Sequence, residues 1–109
     1  MALLGAANLA VASPPAPAVA MPRGSRPDGD RVRSSLGFRA TVDHFERRWR
    51  KDAVAVRRIG PYQVGGVGVV RFLALAPAPP WRAVHVYRVA GVTWIFVVAA
   101  PLDATRATE

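Results

Sequence analysis

The alternation of apolar and polar positions near the C-terminus predicts two β-strands folded back on each other. Ala83 to Val89 and Val92 to Ala99 are rich in β-branched and aromatic residues, which favour extended backbone. The Ala90-Gly91 pair between them has the length of a two-residue hairpin loop. We therefore predict that Trp81 to Ala100 forms a β-hairpin around which the chain folds, because a lone hairpin is only marginally stable in water.

The predicted register of this hairpin separates its side chains into two rows. If Val89 faces Val92, one face carries the aromatic row, which consists of Tyr87, Trp94, His85 and Phe96. The other face carries the aliphatic pairs Val86 with Ile95 and Val84 with Val97. Both faces need cover, and an aromatic patch of this size rarely stays bare on a monomer. The aromatic row is therefore the predicted contact surface for a protein partner, a second protomer or an apolar small molecule.

A period of three to four residues predicts one amphipathic helix from Ser35 to Lys51. Its apolar stripe consists of Phe38, Val42, Phe45 and Trp49. Ser34 or Ser35 is the expected N-cap, and basic residues crowd the C-terminal end, where cations suit the helix dipole. On the wet side, Asp43 with Arg47 and Glu46 with Arg50 are predicted to pair, and His44 is expected to be solvated.

Two further strands lie between the helix and the C-terminal hairpin. Ala53 to Val64 reads as a strand bent at Gly60-Pro61, and a proline places it at the edge of a sheet. Gly65-Gly66 is a turn before the strand Val67 to Leu75, and residues 76–80 form a stiff connection. The predicted fold class is α+β, with one helix packed on a four-stranded antiparallel meander in the order α-β-β-β-β.

The N-terminal third is predicted to lie outside this domain. Residues 1–20 have no charged side chain and end in Ala18-Val19-Ala20, the small-x-small pattern of a signal-peptidase site. They have no basic n-region, so an organellar transit peptide and a disordered Ala/Pro tail stay open as alternatives. Residues 21–34 are expected to be an irregular Arg/Pro/Gly lead-in, 35–101 the single domain and 102–109 a tail. No transmembrane segment is predicted, since the apolar run from Ala2 to Ala12 is too short.

Composition narrows the classes of function. The chain of 109 residues has a net charge of +8, Lys51 is its only lysine, and it contains no cysteine, which excludes disulfides and thiolate chemistry. The basic balance favours anionic partners, although a GC-rich genome would enrich arginine in the same way. The alternative function is therefore binding of nucleic acid or an acidic surface, with anion-binding candidates Arg47, Arg48, Arg50, Lys51, Arg57 and Arg58.

The residues that could carry catalysis are few and scattered. None of the acids falls within a predicted strand, and the two histidines lack metal-ligand spacing, so no paired-carboxylate or metal site is predicted. His85 could serve as a base, but a structural role is favoured because no carboxylate is near it in sequence. Residues 64–68, VGGVG, lack the pattern of a phosphate loop. We predict a protein that is not an enzyme and uses no cofactor or metal.

Residues 57–101, RRIGPYQVGGVGVVRFLALAPAPPWRAVHVYRVAGVTWIFVVAAP, resemble the C-terminal half of the PsbP-like fold. In that fold a strand leads into a Gly-Gly turn and a long strand, and a closing hairpin ends in Ala-Pro. The resemblance covers about half of the chain and implies a truncated version, because the opening strands have no clear counterpart here. It implies a non-catalytic accessory or binding module.

A second resemblance is to the cystatins, in which a helix precedes a four-stranded meander. Their Gln-x-Val-x-Gly loop and a Pro-Trp wedge into papain-like proteases, and this chain has residues 63–66, QVGG, and Pro80-Trp81. The Gln motif is displaced by one position, and Pro-Trp precedes the last hairpin instead of lying within it. The resemblance implies a cystatin-like topology, while these departures argue against protease inhibition. The function predicted from the sequence is thus a small exported binding or accessory protein, periplasmic or secreted, with cytoplasmic or organellar location as the alternative.

Overall fold

The computed structural model describes residues 19–75 and 79–100 as one helix packed on an antiparallel sheet. The elements in chain order are β1 (Arg26–Asp28), β2 (Arg31–Arg33), α1 (Phe38–Lys51), β3 (Val56–Val64), β4 (Val67–Ala74), β5 (Trp81–Val89) and β6 (Val92–Ala99). The predicted α+β class and the four-stranded meander are confirmed, the latter as β3 to β6. The prediction of a sheet limited to four strands is wrong, because β1 and β2 extend it to six.

The strand order in the sheet is β1-β2-β6-β5-β4-β3, and every neighbouring pair is antiparallel. The predicted register of the closing hairpin is confirmed: Val89 faces Val92, and Tyr87 faces Trp94. Ala90 and Gly91 both have positive φ, of 50° and 80°, as a two-residue loop matched to the twist of the strands requires. The prediction that β3 is an edge strand is also confirmed.

The predicted irregular lead-in, residues 21–34, instead contains the β1–β2 hairpin. Gly29-Asp30 forms its two-residue turn, with Gly29 at a φ of 67°, and Val32 of β2 pairs with Ile95 of β6. The lead-in joins the core as well, since Met21 packs against the central cluster. The folded unit therefore begins before residue 35, the boundary predicted for the domain.

The helix buries the apolar stripe predicted from its period. Val42, Phe45 and Trp49 are buried, and Phe38 is half-buried against the same core. The predicted start at Ser35 is wrong by one turn: α1 begins at Phe38, and its N-cap is Gly37, without a side-chain cap. The helix starts later because Ser34, just before it, is hydrogen-bonded to β6.

Ser34 is held by β6 and by the helix together. Its backbone N–H donates to the Thr93 carbonyl at 2.9 Å, which extends the chain beyond β2. Its buried hydroxyl accepts from the Leu36 N–H at 3.0 Å and shares a hydrogen bond of 2.6 Å with the Thr41 hydroxyl. Ser34 therefore anchors the entry to the helix from outside it, instead of capping the first turn.

The C-terminal end of α1 closes in a Schellman motif. The Val54 N–H donates to the Trp49 carbonyl at 2.8 Å, and the Ala53 N–H donates to the Arg50 carbonyl at 3.3 Å. This geometry places Ala53 at a φ of 59°, a left-handed conformation that glycine adopts more easily than alanine.

The centre of the core is a cluster of aromatic rings around Trp49. Its ring stacks on Phe45 and Trp81 at centroid distances of 5.1 and 4.9 Å, and meets Phe72 edge-on at 5.0 Å. A β-bulge between Trp81 and Ala83 turns Trp81 to the helix side of the sheet, although strict alternation along β5 would put both residues on one face.

Two expectations for the helix surface are wrong. Glu46 pairs with Arg58 of β3 at 2.7 Å and Asp52 pairs with Arg48 at 3.0 Å, in place of the predicted pairs Asp43–Arg47 and Glu46–Arg50. β3 lies close enough to the helix for Arg58 to reach Glu46, a contact that no spacing within the helix could predict. His44 is half-buried instead of solvated. Its Nε2–H donates to the Ala20 carbonyl at 2.7 Å.

Candidate binding face of the sheet

The helix covers only one face of the sheet, and burial alternates accordingly along the central strands. The buried side is the aliphatic one predicted, and its core includes Val84, Val86 and Ile95 together with Val70 and Phe72 of β4. The opposite side, which we call the open face, is only half-buried over most of β4, β5 and β6. By strand register its side chains are those of Arg26, Asp28, Arg31, Arg33, Arg57, Ile59, Tyr62, Val64, Val67, Val69, Arg71, Leu73, Ala83, His85, Tyr87, Val89, Val92, Trp94, Phe96 and Val98.

The aromatic row lies at the centre of the open face. Tyr87 and Trp94 face each other across β5 and β6, and the next pair along the strands is His85 with Phe96, whose ring centroids are 6.3 Å apart. All four side chains are half-buried, neither sealed in the core nor fully in solvent. The structure therefore brings together the four residues predicted as a contact surface.

The β1–β2 hairpin adds positive charge at one side of the aromatic row. The Arg31 guanidinium carbon lies 3.5 Å from the centroid of the Trp94 ring, a cation–π contact. Arg33 is the register partner of Trp94, and Arg26 is the partner of Arg33 on β1. The sequence did not place these arginines beside the aromatic row, because residues 21–34 read as an irregular lead-in. The signal that could have found them is Gly29-Asp30, a glycine-first pair of the kind that forms a two-residue hairpin loop.

Arg71 of β4 lies on the other side of the aromatic row from these arginines. It is the register partner of His85 and lines, with Leu73, His85 and Val98, a shallow depression of about 470 Å³. Its buried Nε–H has no hydrogen-bond acceptor within the described residues. A buried donor without a partner costs about 1–3 kcal/mol, which a turn of the Arg71 side chain toward the acceptor of a ligand would recover.

His85 is kept in its neutral form by these surroundings. Burial, with a smaller contribution from the positive charge of Arg71, holds the pKa of His85 below its usual value of 6.5. At neutral pH the ring is therefore an uncharged part of the aromatic row.

The anion-binding candidates predicted from charge do not form one patch. Arg57 lies on the open face, opposite Leu73, while Arg58 faces the helix and pairs with Glu46. At the helix end Arg48 pairs with Asp52, and the remaining candidates, Arg47, Arg50 and Lys51, are exposed. The set is divided between the two sides of the sheet, and two of its members are already paired.

The two segments that resemble cystatin motifs are also separated. Gly65-Gly66 forms the β3–β4 turn, whereas Trp81 begins β5 at the opposite end of the meander. Trp81 is 2% exposed and packs in the core, so the two segments do not share a surface.

Residues 19–75 and 79–100 contain no group of three or more histidine, cysteine or acidic side chains that could hold a metal ion. Within the same ranges, no helix has the length and apolar character needed to cross a bilayer.

Comparisons of this chain with protein-family models, with curated proteins and with solved structures gave no match. Its function has to be inferred from the chemistry of the open face, where half-buried rings lie between arginines.

Proposed function

We propose that this protein is a small non-catalytic binding or accessory protein whose contact surface is the open face of the sheet. The observation that carries the proposal is the one-sided packing of the helix. Its stripe of Val42, Phe45 and Trp49 packs against the aliphatic face, and the aromatic row is left half-buried. Tyrosine and tryptophan at such a position typically dominate the free energy of contact with a partner.

The aromatic row can be tested by removing its two largest rings. Tyr87→Ser with Trp94→Ser should abolish self-association measured by light scattering, or uptake of the neutral apolar dye Nile red, while the circular dichroism of the fold is retained. Leu36→Ser is the matched control, because Leu36 is an exposed apolar residue at the entry to the helix, outside the strands of the sheet. If the double variant of a monomeric parent unfolds outright, the row is part of the core and the proposal fails.

We further propose that the protein is exported, with cleavage after Ala20. The support is the Ala18-Val19-Ala20 pattern in an uncharged segment. Cleavage there would remove the Ala20 carbonyl that accepts the His44 hydrogen bond, and also Val19, which packs against the core. Mass spectrometry of protein from its native host should find Met21 at the mature N-terminus, and an intact Met1 would refute export by this route.

A further inference from the structure

The charge of the open face indicates what kind of partner it fits. Five arginines lie on it by register, and the one acidic side chain among the described residues of this face is that of Asp28, 4.0 Å from Arg31. The five are Arg26, Arg31, Arg33, Arg57 and Arg71. They stand on both sides of the aromatic row, so a ligand that covers the rings also meets positive charge at either end.

This charge argues against a second copy of the chain as the occupant. Two open faces packed together would bring two sets of arginines into one desolvated interface with few acids to offset them. Like charges buried together cost several kcal/mol, which the aromatic contacts would have to exceed. An anionic partner, in contrast, gains from every one of these residues.

The rings between the arginines narrow the partner further. Tyr87, Trp94, His85 and Phe96 are half-buried, so each still exposes part of a ring to solvent. Alternate residues along a strand are about 6.8 Å apart, so the two ring pairs form successive platforms across the sheet. The Arg31 guanidinium, whose carbon lies 3.5 Å from the centroid of the Trp94 ring, offers a further planar surface. Planar groups of a ligand can stack on such platforms, whereas an anion without rings would use only the arginines.

The Nε–H of Arg71 supplies an independent observation. This buried donor has no acceptor within the described residues, and it lies beside the aromatic row rather than at the rim of the sheet. A phosphate group bound at the Arg71 guanidinium would neutralise the charge beside His85, and a turn of the side chain that brings Nε–H to a phosphate oxygen would satisfy the donor.

We infer that the open face binds single-stranded nucleic acid, with phosphates on the flanking arginines and bases stacked on the aromatic row. This inference rests on the proposed function, since it names the occupant of the same face. Single strands fit better than duplexes because only unpaired bases expose the ring surfaces that the aromatic row would stack against. The C-terminal end of the helix has arginines on its surface but no exposed ring beside them. It could therefore attract an anion by charge, but it could not stack the bases of a nucleic acid.

The test is fluorescence anisotropy of a labelled oligothymidylate of about twenty nucleotides, which exceeds the site size of one small domain. A duplex of equal length and heparin, a polyanion without bases, are the comparison ligands. We expect the single strand to bind with quenching of tryptophan fluorescence, and the affinity to fall steeply with salt. The duplex and heparin should each bind at least about tenfold more weakly than the single strand.

Two pairs of variants with equal charge change locate the site. Arg31→Gln with Arg33→Gln removes two arginines beside the aromatic row, and Arg47→Gln with Arg50→Gln removes two exposed arginines of the helix. We expect the first pair to weaken binding by about tenfold or more and the second by about threefold or less. Tyr87→Phe with Trp94→Phe should retain binding and Tyr87→Ser with Trp94→Ser should lose it, because a phenyl ring still stacks.

Several results would overturn the inference. Equal affinity for heparin and the single strand, or a larger loss in the helix pair than in the sheet pair, would mean binding by charge alone or at the helix. An absence of oligonucleotide binding, while Nile red uptake or self-association still depends on Tyr87 and Trp94, would refute this ligand but leave the proposed contact surface standing. Unfolding of the serine double variant, with no oligonucleotide binding by the parent, would refute both.

Discussion

Replacing Trp49 by alanine should remove a large share of the stability of this domain. The side chain is 4% exposed, and its ring contacts three other aromatic rings at centroid distances of 4.9 to 5.1 Å. Truncating a buried tryptophan to alanine costs about 3–5 kcal/mol, because transfer free energy is lost and a cavity remains. Small domains have total stabilities of about 5–15 kcal/mol, so the variant could retain only a small fraction of its native stability.

Trp94→Ala is the matched control for this prediction, since it makes the same chemical change on the opposite face of the same sheet. Trp94 is half-buried, and its described aromatic or cationic contact is the one with Arg31. We expect a loss of about 1–2 kcal/mol, from partial burial and one cation–π contact.

Urea titration followed by far-ultraviolet circular dichroism measures both losses without relying on tryptophan fluorescence. If Trp49→Ala is unfolded without urea, Trp49→Phe serves instead, because it keeps a ring in the cluster and should lose less. Equal losses for the alanine variants of Trp49 and Trp94 would refute the assignment of one face to the core and the other to contact.

Three further predictions concern backbone strain and protonation. Ala53→Gly should raise the free energy of unfolding by about 1 kcal/mol in urea titration, because φ at this position is 59°. Gly60→Ala should lower the free energy of unfolding, because φ at this position is 101° and such strain alone costs about 1–3 kcal/mol. The loss should be larger than that, since an added Cβ would also lie 2.7 Å from the Val69 carbonyl oxygen. The pKa of His85 is lowered in the folded state, so the unfolded chain takes up its proton at higher pH. Stability should therefore decrease as the pH falls from about 6.5 through the lower folded pKa, and His85→Gln should remove this part of the decrease.

Each of these predictions has an outcome that would contradict it. A loss of stability in Ala53→Gly would mean that the left-handed conformation does not form at the helix end. Unchanged stability in Gly60→Ala would mean that β3 and β4 are not packed as closely as described. For His85 the measurement is the difference in stability between parent and His85→Gln across pH 4 to 8, in which the other titrating groups cancel; a constant difference would exclude the lowered pKa.

The proposed binding face could be predicted from the sequence only in part. The aromatic row followed from Ala90-Gly91, because a two-residue loop determines which side chains of a hairpin share a face. The stripe of the helix followed in the same way from its period. Both are local properties: hydrogen bonds between near neighbours in sequence set them, and the strand or helix carries them along its length.

The tertiary structure alone decided which residues surround the aromatic row. Arg31 reaches Trp94 because β2 pairs with β6, across more than half of the chain, and such a pairing depends on strand order rather than on any local pattern. Glu46 pairs with Arg58 instead of Arg50 for the same reason, since the sheet brings Arg58 of β3 within reach of the helix. Trp81 entered the core through a single bulge that breaks the alternation of β5. Local hydrogen bonding sets the faces of each element, but which faces meet is settled only when distant segments pack and exclude water together.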